Sequence, residues 1–330
     1  MNHSTLSPHF SAARFIKEIG RGKEGARSLS RADAELLYTA MLRREISDLE
    51  LGAILLAMRI KGESIDEIAG FMQAAEASFE LLDAPVGTAM PVLIPSYNGA
   101  RKMPNLTPLL AMLLVREGVP VLVHGVTQDP GRVTTAEIFI ALGWPLAASP
   151  QQAQQQLSGS TPTFIPIEIL APQMAGLLAC RRILGVRSST HTLVKILQPL
   201  RQPALRLSSY THPEYLEMLG QYFTTAAPQD RGDAFLMRGT EGETVANARR
   251  AQQIDWFHGG VRTTLVEKQG VVDSMPDMPP ERDADTTARW IEAVLAGMIP
   301  VPPAIAEQVE RCAAVARGVN IAPSDLDAAS

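Results

Sequence analysis

Cysteine, aromatic residues and long apolar runs are all scarce in this 330-residue chain. Its 2 cysteines, Cys180 and Cys312, cannot build a disulfide framework or supply the clustered thiolates of a structural zinc site, so a reducing compartment is expected. No apolar run approaches the roughly 18 residues of a membrane helix, and residues 1–11 lack the charged-then-apolar pattern of a secretory signal. We therefore expect a cytoplasmic protein without membrane attachment.

The composition is typical of a globular protein, with 46% hydrophobic and 20% charged residues. The length allows a large domain with a smaller companion. Up to about Glu80, each apolar-periodic stretch follows a hydroxyl residue that is answered three positions later by a carboxylate. These pairs are Ser30 with Asp33, Ser47 with Glu50, and Ser64 with Glu67. Such pairs start helices, so residues 1–85 are predicted to form a small all-helical domain.

After residues 83–88, short apolar runs alternate with helical patterns. Strands are predicted at 91–95, 119–124, 234–237 and 263–266, and helices near 108–117, 134–143, 172–184, 213–222, 284–297 and 303–317. This alternation predicts an α/β domain over residues 86–330 with a mainly parallel central sheet. Ligands of such domains usually bind beyond the carboxyl ends of the strands.

Charge is unevenly distributed, although the net charge is -5. Residues 1–44 carry 8 Lys and Arg against 4 Asp and Glu, and residues 101–240 carry 12 against 8. Fields act within about 8 Å at physiological salt, so local excess matters more than the total. The candidate nucleic-acid-binding cations are Lys17, Arg21, Lys23, Arg27, Arg101, Lys102, Arg181, Arg182, Arg187 and Lys195. Cations of this kind also coat ordinary solvated faces.

Two local patterns bear on anion binding. Residues 95–102 follow a predicted strand and precede a helix that Thr107 can cap, with Pro108 at its first position. A helix N-terminus beside an Asn-Gly turn and two cations predicts an anion site, and the alternative is a loop whose cations are only solvated. If 187–195 is helical, Arg187, His191 and Lys195 share one face.

Motifs along nearly the whole chain resemble those of anthranilate phosphoribosyltransferases. They lie at 51–63, 105–107, 118–125, 136–143, 184–187, 212–214 and 238–243. The resemblance implies the nucleoside phosphorylase/phosphoribosyltransferase fold, with the small domain completed by helices from residues 170–200 and a ligand cleft between the domains. The cleft residues that it implies, here vestigial, are Ser96, Asn98, Gly99, Asn105, Thr107, His124, Gly125, Arg187 and Glu243.

Departures from the family motifs indicate an eroded site. The Gly-rich loop that cradles the diphosphate of phosphoribosyl pyrophosphate becomes Pro95-Ser96-Tyr97-Asn98-Gly99, in which proline has no N–H to donate. The family's Lys-His-Gly-Asn run becomes 123–126, and its paired magnesium-binding acids survive only as Glu243, with Glu241 nearby. Losing these groups together should cripple phosphoribosyl transfer. We therefore expect no cofactor and no metal, and no anthranilate phosphoribosyltransferase activity.

Four segments resemble the YbiB-type subgroup, which is regarded as nucleic-acid-binding. They are 21–23, 94–102, 187–193 and 238–243. This resemblance implies a homodimer formed through the small helical domains, which binds the DNA or RNA backbone with little sequence preference. Two alternatives stay open. One is a glycosyl- or phosphoribosyltransferase with an unidentified substrate, and the other is a scaffold that binds a phosphorylated small molecule without chemistry.

Overall fold

The computed structural model describes residues 10–22, 24–87, 89–250, 252–271 and 276–319. The chain divides into two compact units. The first comprises Met1–Phe79 and Ala171–Val194, and the second comprises Glu80–Leu170 and Lys195–Ser330. Within the described ranges, no helix combines the length and the apolar character needed to cross a bilayer.

The first unit is helical. With helices numbered along the whole chain, it contains α1 (Ala13–Ile19), α2 (Arg31–Leu42), α3 (Asp48–Lys61), α4 (Ile65–Glu76), α9 (Pro172–Ala179), α10 (Arg181–Leu184) and α11 (Thr190–Leu193). The Ser47 side chain accepts the Glu50 N–H while the Glu50 carboxylate accepts the Ser47 N–H, and Ser64 and Glu67 do the same. At α2, the Ser30 hydroxyl accepts the Asp33 N–H. The predicted starts of these three helices are confirmed.

A glycine and a buried carboxylate bring α4 against the start of α2. A Cβ at Gly70 would lie 2.2 Å from the carbonyl oxygen of Arg31, so only glycine fits there. The Glu67 carboxylate accepts the Leu29 N–H at 2.8 Å and the Lys61 ammonium at 2.6 Å. Glu67 therefore ties the segment before α2 to the end of α3 in a solvent-excluded position.

The second unit is built on one sheet. Its strands, among the described residues, are β1 (Val92–Ser96), β2 (Val121–Gly125), β3 (Thr163–Pro166), β4 (Leu205–Ser209), β5 (Ala234–Met237), β6 (Ile254–His258) and β7 (Val261–Val266). Their order is β3-β2-β1-β4-β5-β6-β7; the first five are parallel, whereas β6 and β7 pair antiparallel. The predicted fold class, a small helical domain with a larger α/β domain on a mainly parallel sheet, is confirmed.

Helices cover the sheet and exclude water from its central strands. The second unit contains α5 (Thr107–Arg116), α6 (Thr135–Ala141), α7 (Pro150–Gln156), α8 (Ile167–Leu170), α12 (Pro213–Thr225), α13 (Ala284–Leu295) and α14 (Pro303–Ala316). Every residue of β1, β2, β4 and β5 is buried. Ile94 and Val123 join Leu109, Ile291 and Ile305 from these helices in one apolar cluster. Burial on both faces explains the apolar runs of a parallel sheet.

The predicted strands correspond to β1, β2, β5 and β7, and the prediction misses β3, β4 and β6. A continuous helix over 187–195 does not form. The predicted common face of Arg187, His191 and Lys195 required that helix. Helix α10 ends at Leu184, the following Gly185 is left-handed, and α11 spans only Thr190–Leu193. Arg187 and Lys195 lie outside α11 and do not share a helical face with His191.

The predicted cap of α5 is wrong. The helix begins at Thr107, and neither Leu106 at the cap position nor Thr107 makes a side-chain cap hydrogen bond. The Asn105 side-chain oxygen accepts the Thr107 N–H at 3.2 Å instead. A short polar side chain two residues upstream can form this local turn, which competes with the usual cap.

Candidate functional site

The carboxyl ends of β1, β2 and β5 position three polar segments in the second unit. Ser96 ends β1 opposite Gly125 at the end of β2, and β5 leads into residues 238–245. A Cβ at Gly125 would lie 1.9 Å from the Ser96 carbonyl oxygen, so this close approach requires glycine. The loop of residues 97–103, which we call the β1 loop, begins at this contact.

Glu243 fills the first half of the β1 loop. Its Oε1 atom accepts the Asn98 N–H at 2.8 Å and the Gly99 N–H at 2.7 Å. The side chain is buried, and burial raises the pKa of the Glu243 carboxyl, although hydrogen bonds and the charge of Lys195 oppose the shift. Lys195 itself donates to the Gly242 carbonyl oxygen at 3.4 Å.

Glu241 fills the second half of the same loop. Its Oε1 atom accepts the Lys102 N–H at 2.7 Å and the Met103 N–H at 2.8 Å, with the Arg101 N–H at 3.3 Å. Glu241 holds a left-handed backbone conformation with φ 52°, which is uncommon for a residue with a side chain. The backbone N–H groups of residues 98, 99, 101, 102 and 103 therefore converge on two carboxylates of the same chain.

This arrangement does not fit the magnesium role that the family resemblance implies for the two acids. Each carboxylate already accepts several N–H groups, and its donors are amides of the loop that the resemblance compares with the family's diphosphate-binding loop. The Oε1 atoms that accept these N–H groups are poorly placed to serve as the hard oxygen ligands that Mg²⁺ requires, whereas the buried Oε2 of Glu243 has no partner among the described residues. In the described part of the chain, no group of three or more His, Cys, Asp or Glu side chains is arranged to hold a metal ion.

A buried tyrosine and histidine lie beside the β1 loop. The Tyr97 hydroxyl is 2.8 Å from Nδ1 of His124. Burial lowers the pKa of His124 to about 3 and raises that of Tyr97, so both side chains are neutral at physiological pH. His124 Nε2 has no hydrogen-bond partner among the described residues. Tyr97 is thus a packed, buried ring within the loop that the sequence resemblance compares with the family's Gly-rich loop.

Hydroxyl and amide groups complete this end of the sheet. The Ser96 hydroxyl donates to Thr135 Oγ1 at 2.8 Å, and the Asn105 amide donates to the same oxygen at 3.1 Å. The structure brings together eight of the nine predicted cleft residues, all buried: Ser96, Asn98, Gly99, Asn105, Thr107, His124, Gly125 and Glu243. The ninth, Arg187, belongs to the first unit, between α10 and α11.

The predicted nucleic-acid-binding cations fall in both units. Lys17, Arg21, Arg27 and Arg182 are exposed in the first unit, where Arg181 and Arg187 are half-buried. Arg21 pairs with Glu18 at 2.7 Å, and Lys23 lies outside the described residues. Arg101 and Lys102 are exposed on the β1 loop, whereas Lys195 is half-buried.

Sequence reasoning missed three further exposed cations near the β1 loop. Arg282 Nη1 donates to the Arg101 carbonyl oxygen at 2.9 Å, and Arg249 and Arg250 follow Asn247, whose amide approaches Met103 Sδ at 3.7 Å. Residues 241–330 are acidic as a whole, and this average hid the Arg249-Arg250 pair. Summing charge over a shorter stretch of sequence would have found this pair, but not its proximity to the β1 loop and Arg282.

Comparison with known proteins shows the family. A model described as "Glycosyl transferase family, helical bundle domain" matches residues 13–78. The chain is 45% identical over 313 residues to the YbiB protein of Escherichia coli (strain K12), across 94% of this chain and 96% of that protein. It is 27% identical over 287 residues to the anthranilate phosphoribosyltransferase of Synechococcus sp. (strain JA-3-3Ab), across 86% of this chain and 77% of that enzyme.

Solved structures show the same fold. The crystal structure of anthranilate phosphoribosyltransferase from Thermus thermophilus matches with a TM-score of 0.71 at 20% identity, covering 92% of this chain and 89% of that one. The resemblance to these transferases is therefore confirmed at the level of fold. With the 45% identity to YbiB over nearly the whole length, the chain belongs to the anthranilate phosphoribosyltransferase-like family and is a relative of the YbiB protein.

Proposed function

We propose that this chain is a cytoplasmic, homodimeric protein that binds the backbone of DNA or RNA without sequence preference and has no anthranilate phosphoribosyltransferase activity. The observation that carries the proposal is the filling of the β1 loop by Glu241 and Glu243. Its N–H groups already donate to carboxylates, with distances of 2.7 to 2.8 Å for the four shortest bonds. A diphosphate would have to displace two anions from these donors.

Exposed cations support a nucleic-acid partner. Arg101 and Lys102 are exposed on the second unit, and Lys17, Arg21, Arg27 and Arg182 are exposed on the first. Lys and Arg recognise phosphates through charge, which is independent of base sequence and weakens steeply with salt. With only 5% aromatic residues, the chain offers few rings on which bases can stack.

Exposed apolar side chains on α3 support the homodimer. Leu49, Leu56 and Ile60 are 84%, 48% and 66% exposed, and their spacing of seven and four residues places them on one helical face. Exposed apolar side chains that are grouped in this way are typical of a protein–protein contact. We propose that this face, which we call the α3 face, meets its counterpart in a second copy.

The test is a binding titration by fluorescence anisotropy at about 50 and about 200 mM salt. We expect the wild-type protein to bind single- and double-stranded oligonucleotides of unrelated sequence. Arg101→Ala/Lys102→Ala should weaken binding to every sequence and reduce the salt slope by about one for each phosphate that is no longer bound.

The matched control is Arg201→Ala/Arg317→Ala, which removes the same charge near the amino-terminal ends of the strands. Arg201 precedes β4 and pairs with Asp83, and Arg317 pairs with Glu117, which precedes β2, so melting temperatures are measured for this variant as well. Failure of the wild-type protein to bind at low salt would overturn the proposal.

A transferase acting on an unidentified substrate is the second candidate. It is favoured by buried polar atoms of the site that lack partners among the described residues, which include Asn98 Oδ1, Thr107 Oγ1, His124 Nε2 and Glu243 Oε2. Buried polar groups in native proteins usually have partners, and a bound substrate would supply them. Mass spectrometry of phosphoribosyl pyrophosphate with magnesium and a panel of aromatic amines tests this candidate. Sustained turnover would establish it, and recovery of unchanged substrate would eliminate it for that panel.

A further inference from the structure

We infer that Arg249, Arg250 and Arg282 join Arg101 and Lys102 in one surface that binds the phosphodiester backbone, and that Glu241 and Glu243 hold the β1 loop in the shape this surface needs. We call these five cations the loop-side cation surface. The inference rests on the proposed function and specifies where in the second unit the nucleic acid binds.

Contacts between three segments bring together the parts of the chain that carry the five cations. Arg282 Nη1 donates to the carbonyl oxygen of Arg101 at 2.9 Å, so its guanidinium lies against the β1 loop. The Asn247 amide approaches Met103 Sδ at 3.7 Å. Asn247 also accepts the N–H of Arg249 at its side-chain oxygen and that of Arg250 at its carbonyl oxygen, at 2.9 and 3.1 Å. Residues separated by up to 181 positions in the chain therefore meet at one place.

Among the described residues, the five cations of this surface form no ion pair with a carboxylate. All five side chains are exposed. Glu241 contacts the loop that carries Arg101 and Lys102, and its carboxylate offsets one of the five positive charges while it accepts backbone N–H groups. The surface therefore keeps an excess of exposed positive charge that an external polyanion can contact.

The two carboxylates give this surface a defined shape. A loop whose consecutive N–H groups lack partners would exchange among several conformations and bind water. Here Glu243 holds Asn98 and Gly99, and Glu241 holds Lys102 and Met103, so the backbone that carries Arg101 and Lys102 is fixed at both ends. A pre-ordered loop loses less conformational entropy on binding. The same hydrogen bonds occupy the N–H groups, so only the side chains remain for phosphate.

A phosphodiester backbone is the partner that this chemistry fits. It offers evenly spaced single negative charges, which separate guanidinium and ammonium groups can contact one by one. A terminal phosphate or pyrophosphate would need the converging N–H groups that the carboxylates occupy. We therefore expect affinity for oligonucleotides without matching affinity for pyrophosphate.

The test compares Arg249→Ala/Arg250→Ala with Arg201→Ala/Arg317→Ala in the full-length protein, by anisotropy with a labelled single strand and its duplex. The side chains of Arg249 and Arg250 form no hydrogen bond with the β1 loop, so the fold should persist, and a thermal melt checks this. We expect the first variant to lose at least about tenfold in affinity at about 0.1 M salt and the second to stay near the wild type.

The outcomes separate the inference from the proposed function. If the wild-type protein binds and the Arg249/Arg250 variant matches the control in affinity and salt slope, the surface is elsewhere and the inference is overturned. If the wild-type protein does not bind at all, the proposed function itself fails.

A second measurement tests the filled loop. The wild-type melting temperature should not rise with inorganic pyrophosphate at constant ionic strength, whereas Glu241→Ala, which frees the N–H groups of residues 101–103, should gain stability from it. Pyrophosphate stabilisation of the wild type, or none in the variant, would contradict the role assigned to Glu241.

Discussion

The Tyr97 hydroxyl and Nδ1 of His124 lie 2.8 Å apart between the ends of two parallel strands, and both side chains are buried. Their ring centroids are 5.5 Å apart in an edge-on contact. A large ring is therefore packed at the start of the β1 loop, and its hydroxyl has an internal hydrogen-bond partner. This pair makes the end of the sheet a packed core, because its hydrogen bond is shielded from water.

The first prediction concerns this pair. Tyr97→Phe keeps the ring but leaves a buried nitrogen of His124 without its partner, which should cost about 1 to 3 kcal/mol of unfolding free energy. Urea denaturation measures the loss. Tyr210→Phe, at a half-buried position, serves as the control and should cost less. Equal stability of the two variants would contradict the role of the hydrogen bond.

The second prediction concerns pH. Burial raises the pKa of Glu243 above its ordinary value of 4.5, so the folded state holds this proton more tightly than the unfolded state does. The contribution of this group to stability is therefore greatest at low pH, and it falls as pH rises from 4.5 through the raised pKa.

Glu243→Gln should remove this pH dependence, because the amide oxygen can still accept from the β1 loop but cannot ionise. Melting temperatures across a pH series test it, with the exposed Glu292→Gln as control. A parallel decline in Glu243→Gln and the wild type would show that other groups cause the slope.

The third prediction concerns the buried ion pair of the first unit. Lys61 and Glu67 meet at 2.6 Å with side chains 8% and 0% exposed. Lys61→Met leaves the Glu67 charge buried without its counter-ion and should cost about 3 kcal/mol. Arg43→Met removes one partner of the exposed Arg43–Glu45 pair, at 3.9 Å, and should cost less than about 1 kcal/mol. Chemical denaturation that ranked the two variants in the opposite order would refute the assignment.

The fourth prediction concerns self-association through the α3 face. Leu56→Asp/Ile60→Asp places charge where two copies would bury apolar surface, so the dimer should dissociate to monomer at micromolar concentration. Light scattering after size exclusion reports the mass. Leu36→Asp, at a 45% exposed leucine on α2, should leave the dimer intact. A wild-type monomer, or a dimeric double variant, would remove support for this face.

Much of the fold was predictable because its signals are local. The capping pairs at Ser47 and Ser64 start helices where the sequence predicts them, and apolar runs mark β1 and β2. Strands β4 and β6 escaped prediction because each carries a charged residue, Arg206 or Asp255, that tertiary structure buries. Asp255 is buried because Arg262, Thr264 and Gln253 satisfy its oxygens, and sequence periodicity cannot report such partners.

The position of the candidate site was predictable from the sequence, but the groups that accept its N–H donors were not. Strand ends and the Asn-Gly turn locate the β1 loop, because ligands gather at such positions in parallel sheets. That its N–H groups bind Glu241 and Glu243, some 140 residues away, depends on β5 lying near β1 in the sheet. The order β1-β4-β5 is a long-range property, and residue spacing does not encode it.

The carboxylates of Glu241 and Glu243 belong to the chain, so their presence at the β1 loop does not depend on the concentration of any free ligand. A group tethered to the chain acts at an effective concentration that dilution cannot change, which is of millimolar order even for short flexible tethers. A loop ordered by a diffusible diphosphate would become more or less ordered as the level of that metabolite changed. The β1 loop of this protein carries its own anions, so its cations are displayed whatever the metabolite supply.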